Sequence, residues 1–274
     1  MAGGASSRMK RTLNEAALSE SARAVAKKTH KSLIPLGQSG KPLLSYLIRN
    51  AANAGYKDIY IITSPENKAF KEMIGEKNSD NEYEGVQVHF AVQQLQNGRQ
   101  KPLGTADALQ QAMEQYPILK KDFFTVCNGD NLYSEKAFEL LMEGREAPNA
   151  LISYSRSGLQ FEDEKIAKFA VMEISPSGYL VTIVEKPDAN VVEKYRDASG
   201  EIRVSMNIFS FYGPAIYPHL KNCPIHPERD EKELPEAVRF LAAEEQKSVF
   251  CFPLTAHLPD LTTAQDIALF EDSK

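Results

Sequence analysis

The chain has 274 residues, 42% of them hydrophobic and 25% charged, which is typical of a soluble protein with one large α/β domain or two small ones. Its net charge is −5, and the sequence has no long run of residues with the same charge, which argues against nucleic acid or a membrane surface as a partner. Three widely spaced cysteines fit neither a disulfide framework nor a zinc site, so we expect a reducing, cytoplasmic location, and no apolar run reaches membrane-spanning length.

The first ten residues combine small side chains with fixed positive charge. Gly3 and Gly4 allow a backbone to approach a ligand closely, Ser6 adds a hydroxyl, and Arg8 adds a planar guanidinium. Consecutive backbone N–H groups beside such a cation suit a polyphosphate. On this stretch alone, a leader of small residues with no binding role is an equally good interpretation.

The first half of the chain predicts alternating helices and strands. Residues 12–28 are rich in Ala, Glu and Lys and predict a helix that buries little. Pro42 opens an amphipathic helix that ends at Gly55, strand 58–63 follows, and a helix over 66–75 precedes strand 86–92. This alternation predicts a mostly parallel sheet with helices on both faces.

Three positions in this half are candidates for ligand contacts. Lys31 stands at the start of a short apolar segment, where its charge could reach a phosphate. Gln93 follows strand 86–92 and offers the donors and acceptors that suit the edge of a base. Gly104, before a helix that runs through Tyr116, would allow a flat ligand to approach the backbone. A glutamine at a strand end is, on sequence alone, more often simply solvated.

The stretch 122–127 predicts the most clearly buried strand, and it ends in Asn-Gly-Asp-Asn. In open α/β sheets the ligand lies at the carboxyl ends of the strands. Asp130 is therefore well placed to hold a hard cation through oxygen. An ordinary Asn-Gly-Asp turn remains an equally good interpretation of these residues.

The second half has a more antiparallel character. Glu185 and Lys186 follow a predicted strand and precede a proline, so their side chains face opposite ways in an extended chain. One could bind hydroxyls and the other an anion, although an exposed charged strand end is the simpler interpretation. Asp260 stands just before the final helix. The predicted strands are 150–155, 166–174, 179–185, 202–212 and 249–254, and a helix is predicted over 231–243.

Seven segments, in order along nearly the whole chain, resemble motifs of the sugar-1-phosphate nucleotidyltransferases, also called nucleoside-diphosphate-sugar pyrophosphorylases. They are AGGASSRM, KSLIPLG with GKPLLSYLIRNAANAG, PLGTADAL, VCNGDN, VEKP, VSMNIF and PDLTTAQD. Each is weakly specific alone, and their common order makes the resemblance specific. It implies one α/β domain over 1–274, Rossmann-like and three-layered (α/β/α), with a mixed, mostly parallel central sheet. Residues 1–135 would form the nucleotide-binding half and 136–274 the sugar-phosphate half.

The resemblance also implies an activity and a set of site residues. A nucleotidyl group would pass from a nucleoside triphosphate to a sugar 1-phosphate, with Mg²⁺ as cofactor and pyrophosphate as the second product. The implied catalytic residues are Arg8 on the pyrophosphate, Lys31 on the α-phosphate, Asp130 on the metal and Lys186 on the sugar phosphate. The implied binding residues are Gly3, Gly4 and Ser6 for the nucleotide, Gln93, Gly104 and Thr105 for the base, Glu185 and Ser205 for the sugar, and Asp260 as second metal ligand.

The chain departs from the family pattern at a few positions. The family has an apolar strand directly before the glycine loop, so we expect that the natural start lies upstream of Met1. Asn207 and Thr262 stand where the family has glycines, and asparagine tolerates the positive φ that such a position can require. Gln100 is an alternative to Gln93 as the base contact, and we expect no added domain after the last helix.

Two other functions remain open at this stage. The chain could be a regulatory relative that binds a nucleotide sugar without producing it, or a cytidylyltransferase that uses an amino- or polyol-phosphate. The retained Arg8, Asp130 and Lys186 argue against the first, and no acceptor pocket for the second is evident. The sequence does not identify the base, the sugar or the oligomeric state, and a homo-oligomer is one of the options.

Overall fold

The computed structural model describes residue 1 and residues 30–36, 40–96, 98–185 and 187–259. Contacts divide the chain into two compact units. The first contains residues 1–92, 128–138 and 258–274, and the second contains residues 93–127 and 139–257. Within the described residues, no helix combines the length and the apolar character needed to cross a membrane.

The first unit is built on a three-stranded sheet. Its elements are β1 (Pro35–Leu36), β2 (Lys41–Pro42), α1 (Leu43–Asn53), β3 (Asp58–Thr63), α2 (Lys68–Ile74), β4 (Asn81–Tyr83) and β5 (Val86–Val92), preceded by a 3-10 turn over Lys31–Leu33. The sheet order is β3-β5-β4, with β3 parallel and β4 antiparallel to β5. Strands β3 and β5 have the predicted bounds, and their parallel pairing agrees with the predicted strand–helix alternation.

Helix α1 forms as its apolar spacing predicts. Pro42 stands at its N-cap, and Gly55 follows its end with a φ of +105° that favours glycine. The side chains at helical spacing are buried, namely Leu43, Leu44, Leu47, Ile48 and Ala51. Burial of this stripe, rather than helix propensity alone, stabilises an 11-residue helix.

The second unit is built on a six-stranded sheet. Its strands are β6 (Phe123–Cys127), β7 (Asn149–Ser155), β8 (Ala170–Ile174), β9 (Leu180–Val184), β10 (Arg203–Tyr212) and β11 (Val249–Leu254). Its helices are α3 (Thr105–Gln115), α5 (Asp163–Ile166), α6 (Ala189–Val192), α7 (Gly213–Asn222) and α8 (Leu234–Glu244), while α4 (Glu135–Met142) crosses the sequence boundary between the units. The order is β11-β7-β10-β8-β9, and β6 also pairs with β10.

Strand β10 organises this sheet. It pairs with β7 along one side, while residues 208–212 pair with β6 and residues 204–205 pair with β8. Asn207 lies between these two partners with a φ of +56°, where the register to β7 shifts. The positive φ confirms why a glycine or an asparagine is suited to this position.

The α/β class and the mixed sheets agree with the sequence prediction, but three details differ. Two strand pairs are parallel and six antiparallel among the described strands, so parallel pairing does not predominate there. In β6 only Val126 is buried and Phe123 is 58% exposed, so the prediction of a clearly buried strand was wrong. The strand predicted from 166 begins at Ala170, because residues 163–166 form the short helix α5.

Burial in the second unit follows position in the sheet rather than apolar content. All seven residues of β7 are buried, since this strand lies between β10 and β11. Strand β6 is as apolar, but β10 is its one strand partner among the described residues. Side-chain burial depends on what covers the faces of a strand as well as on its neighbours, and apolar content alone does not determine either.

Candidate active site

The turn that follows β6 in sequence joins two predicted site residues of the first unit. The Lys31 ammonium, at the start of the 3-10 turn, donates to the Asp130 carboxylate across 99 positions of sequence. His30 forms the N-cap of that turn and hydrogen-bonds the Ser32 hydroxyl through Nδ1 at 2.8 Å. The side chains of Lys31 and Asp130 are 17% and 20% exposed, so a ligand can still reach both charges.

Two backbone hydrogen bonds bring other motif-bearing segments to the same turn. The N–H of Gly129 donates to the carbonyl of Met1 at 2.8 Å, and Met1 stands directly before the glycine-rich stretch. The N–H of Leu132 donates to the carbonyl of Pro259 at 2.9 Å, and Pro259 directly precedes Asp260. The Asp130 turn therefore contacts three sequence segments that carry predicted site residues.

A buried tyrosine anchors this turn. Tyr133 is fully buried, its hydroxyl accepts from the Asn128 N–H at 3.4 Å, and its carbonyl accepts from the Asn50 side chain at 2.9 Å. Because Asn50 lies on helix α1, the amphipathic helix positions the turn that carries Asp130. Sequence reasoning missed Tyr133, whose only signal was an aromatic residue close to a polar turn.

The chemistry of Asp130 suits magnesium. Carboxylate oxygens are the ligands that Mg²⁺ prefers, and Asp130 offers Oδ1 while Oδ2 contacts Lys31. Across the part of the chain that the structure describes, no three His, Cys, Asp or Glu side chains cluster as a metal site. The predicted second ligand, Asp260, lies outside the described residues, as do Gly3, Gly4, Ser6, Arg8 and Lys186.

In the second unit, Gln93 is committed to internal hydrogen bonds. It is only 8% exposed, and its amide nitrogen donates to the carbonyl of Gly104 at 3.0 Å and to Asp107 at 2.7 Å. The side chains of Gln96 and Gln111 also donate to Asp107. Asp107 thus organises this polar cluster, and sequence reasoning missed it because an aspartate in a first helical turn is ordinary.

The conformation of position 104 and the nearby backbone of the protein itself require a glycine there. Its φ is +106°, and a Cβ there would lie 2.4 Å from the carbonyl oxygen of Lys232. The N–H of Lys232 donates to the carbonyl of Leu103, and the N–H of Leu234 donates to the Thr105 hydroxyl at 2.9 Å. The segment 224–233, called here the 224–233 loop, is therefore fastened to the motif that contains Gly104 and Thr105.

The predicted sugar contacts lie at a strand end and within the sheet. Glu185 is exposed directly after β9, and it borders a cavity of about 510 Å³ between that strand end, the 224–233 loop and the start of α8. Ser205 is 6% exposed within β10, and its hydroxyl accepts from the N–H of Asn207 at 3.4 Å. At the cavity wall, hydrogen bonds from Arg239 hold the pKa of Glu236 below its usual value, so this carboxylate is ionised at neutral pH.

Comparison with known proteins assigns these residues to a family. The family model described as "Nucleotidyl transferase" matches residues 23–261. The small subunit of glucose-1-phosphate adenylyltransferase from Triticum aestivum is 25% identical over 170 residues, which are 60% of this chain and 34% of that protein. Glucose-1-phosphate thymidylyltransferase from Neisseria meningitidis is 26% identical over 158 residues, which are 57% of this chain and 48% of that protein.

A glucose-1-phosphate adenylyltransferase from Vibrio vulnificus is 23% identical over 159 residues, 58% of this chain and 38% of that protein. The matched part therefore spans about a third to a half of the length of these relatives. The resemblance to sugar-1-phosphate nucleotidyltransferases is confirmed by these similarities, and the family match covers most of the chain. The chain belongs to the nucleotidyl transferase family.

Proposed function

We propose that this protein transfers a nucleotidyl group from a nucleoside triphosphate to a sugar 1-phosphate, with release of pyrophosphate. The observation that carries the proposal is the Asp130 turn. It holds the Lys31 ammonium, the Met1 carbonyl and the Pro259 carbonyl, which belong to three segments with family motifs. The named relatives act on glucose 1-phosphate with adenylyl or thymidylyl groups, which supports the same reaction class here.

The reaction requires the protein to position the substrates and to neutralise phosphate charge. It does not require a nucleophilic side chain. An oxygen of the sugar phosphate forms a bond to the α-phosphorus, and the bond from that phosphorus to the pyrophosphate oxygen breaks. No covalent enzyme intermediate is needed, so in-line alignment and neutralisation of phosphate charge lower the barrier. Lys31 would bind the α-phosphate, Arg8 the pyrophosphate and Lys186 the sugar phosphate.

Asp130 and Asp260 would hold the Mg²⁺ ion that the family uses. When bound, that ion would withdraw charge from phosphate oxygens. The ion pair between Lys31 and Asp130 keeps one cationic and one anionic group together at the turn. A nucleoside triphosphate with its counter-ion requires both kinds of charge at one place.

The base would lie against Gly104 and Thr105, with Gln93 as an acceptor. Both N–H groups of Gln93 have protein partners, so its Oε1 is the atom left to read a base. Glu185 would accept sugar hydroxyls, and Ser205 would be a second sugar contact. The few, widely spaced cysteines support a cytoplasmic location.

A pyrophosphate-release assay tests this function. Five nucleoside triphosphates are combined with a panel of sugar 1-phosphates, with and without Mg²⁺, and the expected result is Mg²⁺-dependent turnover with at least one pair. A thermal-shift screen of the triphosphates identifies the base, since a ligand that binds the native state raises the melting temperature. Nucleotide-sugar binding without turnover would indicate a regulatory relative, and turnover only with cytidine triphosphate and a non-sugar phosphate would indicate a cytidylyltransferase.

A further inference from the structure

One cavity of the second unit extends well beyond Glu185, the residue on its border to which a sugar contact was assigned above. It has a volume of about 510 Å³, within the range of sites for small molecules. Ile225, which is 47% exposed, and the prolines Pro224 and Pro227 supply apolar surface on the 224–233 loop. Such surface suits the C–H face of a sugar ring, while polar groups around it set orientation.

The described lining is strongly acidic. It contains four carboxylates against one guanidinium and one imidazole, namely Glu185, Glu231, Glu233 and Glu236 against Arg239 and His226. That guanidinium already donates two hydrogen bonds to Glu236, at 2.8 and 2.6 Å. Other cations near the loop also have partners: Arg229 contacts Glu233, Arg99 contacts Asp230, and the Lys232 ammonium donates to the carbonyl of Lys221 at 3.0 Å. Among the described residues, an anionic substituent inside the cavity would therefore meet carboxylates and no unpaired arginine.

Glu231 holds a fixed place in this lining. Its carbonyl accepts from the N–H of His226 at 2.8 Å, which closes the loop on itself. Its Cβ lies 3.0 Å from the point where a Cβ on Gly104 would stand, so it packs against the base-side motif. Its carboxylate forms no ion pair with the residues that the structure describes.

We propose that Glu231 determines sugar specificity: together with Glu185 it makes this cavity accept a neutral or amino-substituted sugar and exclude an acidic one. The proposal rests on the proposed nucleotidyl transfer to a sugar 1-phosphate. A carboxylate acceptor favours hydroxyl and ammonium donors, whereas a like charge at the same distance is repelled and cannot be hydrogen-bonded. The loop that carries Glu231 is fastened to residues 103–106, so the backbone from which this carboxylate extends stays at the cavity wall.

The test compares three acceptors with the triphosphate that works best. They are a neutral hexose 1-phosphate, its 2-amino-2-deoxy analogue and the corresponding hexuronic acid 1-phosphate. We expect kcat/KM for the acidic sugar to be at least about tenfold below that for the neutral one, since like-charge juxtaposition is costly. Glu231→Gln keeps the size of the side chain and removes its charge. It should reduce the ratio of kcat/KM for the neutral sugar to kcat/KM for the acidic sugar to about one-tenth of the wild-type ratio or less.

Glu228→Gln is the matched control, because Glu228 lies on the same loop, is exposed and does not line the cavity. It should leave the ratio between neutral and acidic sugars unchanged, and both variants should keep the wild-type melting temperature and KM for the triphosphate. Equal use of the acidic sugar by the wild type, or equal effects of the two variants, would overturn the proposal.

Binding of the three sugar phosphates alone, measured by calorimetry, separates this inference from the proposed function. Weaker binding of the acidic sugar, relieved by Glu231→Gln, supports the inference even where no pyrophosphate is released. If the acidic sugar binds as tightly as the neutral one, or if none of the three binds, the inference is wrong.

Discussion

Replacement of Asp130 by asparagine separates a catalytic role from a structural one. The change keeps the shape of the side chain but removes the negative charge that Lys31 contacts. The two side chains are 20% and 17% exposed, so water screens their attraction only in part, and the loss of stability should exceed the ~1 kcal/mol of an exposed pair. A fully buried pair would lose about 3–5 kcal/mol instead. For a chain of this size, about 1 kcal/mol lowers the melting temperature by roughly 2–4 °C.

The expected loss of turnover is much larger. Removal of one charged group that stabilises the transition state costs about 2.7–4 kcal/mol, or ~100 to 1,000-fold in kcat. We therefore expect the pyrophosphate-release assay to show nearly abolished turnover in a protein that still melts cooperatively. The measurement pairs initial rates at saturating substrates with a thermal melt of the same preparation.

Asp197→Asn is the matched control for this experiment. Asp197 pairs with Arg203, and their side chains are 19% and 13% exposed, close to the values for the Asp130 pair. It has no assigned contact with substrate, so its loss should cost stability without lowering kcat. A wild-type rate in Asp130→Asn, or the same loss of kcat in Asp197→Asn, would refute the assignment of Asp130.

Three further results are expected. Gly104→Ala should lower the free energy of unfolding by about 1–3 kcal/mol in urea, because of its positive φ and the close backbone, while Gly144→Ala, with no atom within 4 Å, should not. Burial alone would raise the pKa of Asp197, but hydrogen bonds from Ser199, Arg203 and nearby backbone groups lower it to about 2; its stabilisation should therefore be present above the ordinary value of 3.8 and lost as pH falls toward 2. Asp197→Asn should flatten that decline in acid-denaturation curves. Lys186→Ala should raise KM for the sugar phosphate and leave KM for the triphosphate nearly unchanged in steady-state assays.

The sequence predicted elements whose formation depends on local spacing. Helix α1 carries the expected buried stripe, and β3, β5 and β11 have the predicted bounds, because apolar period and flanking turn residues act within one element. The same reasoning failed for β6. Five apolar or small residues predict a buried strand, but burial depends on what covers the strand in the folded chain, which the strand's own residues do not determine.

Local patterns also predict polar site residues, but they do not predict the partners of those residues. The sequence around Gly104 predicts a place where a flat ligand approaches, whereas the close neighbour in the structure is the backbone of Lys232. Gln93 was interpreted as a base contact, and its amide nitrogen is held by Gly104 and Asp107. Its role toward a base stays a prediction.

The sequence by itself determined the family and the α/β class, and it predicted residues for phosphate, metal and sugar, since residue types and their order are local information. Only the tertiary structure decided which of them meet. Lys31 contacts Asp130 across 99 positions, and Thr105 contacts Leu234 across 129. Such pairs depend on the path of the chain between them, which no periodicity within a helix or a strand encodes.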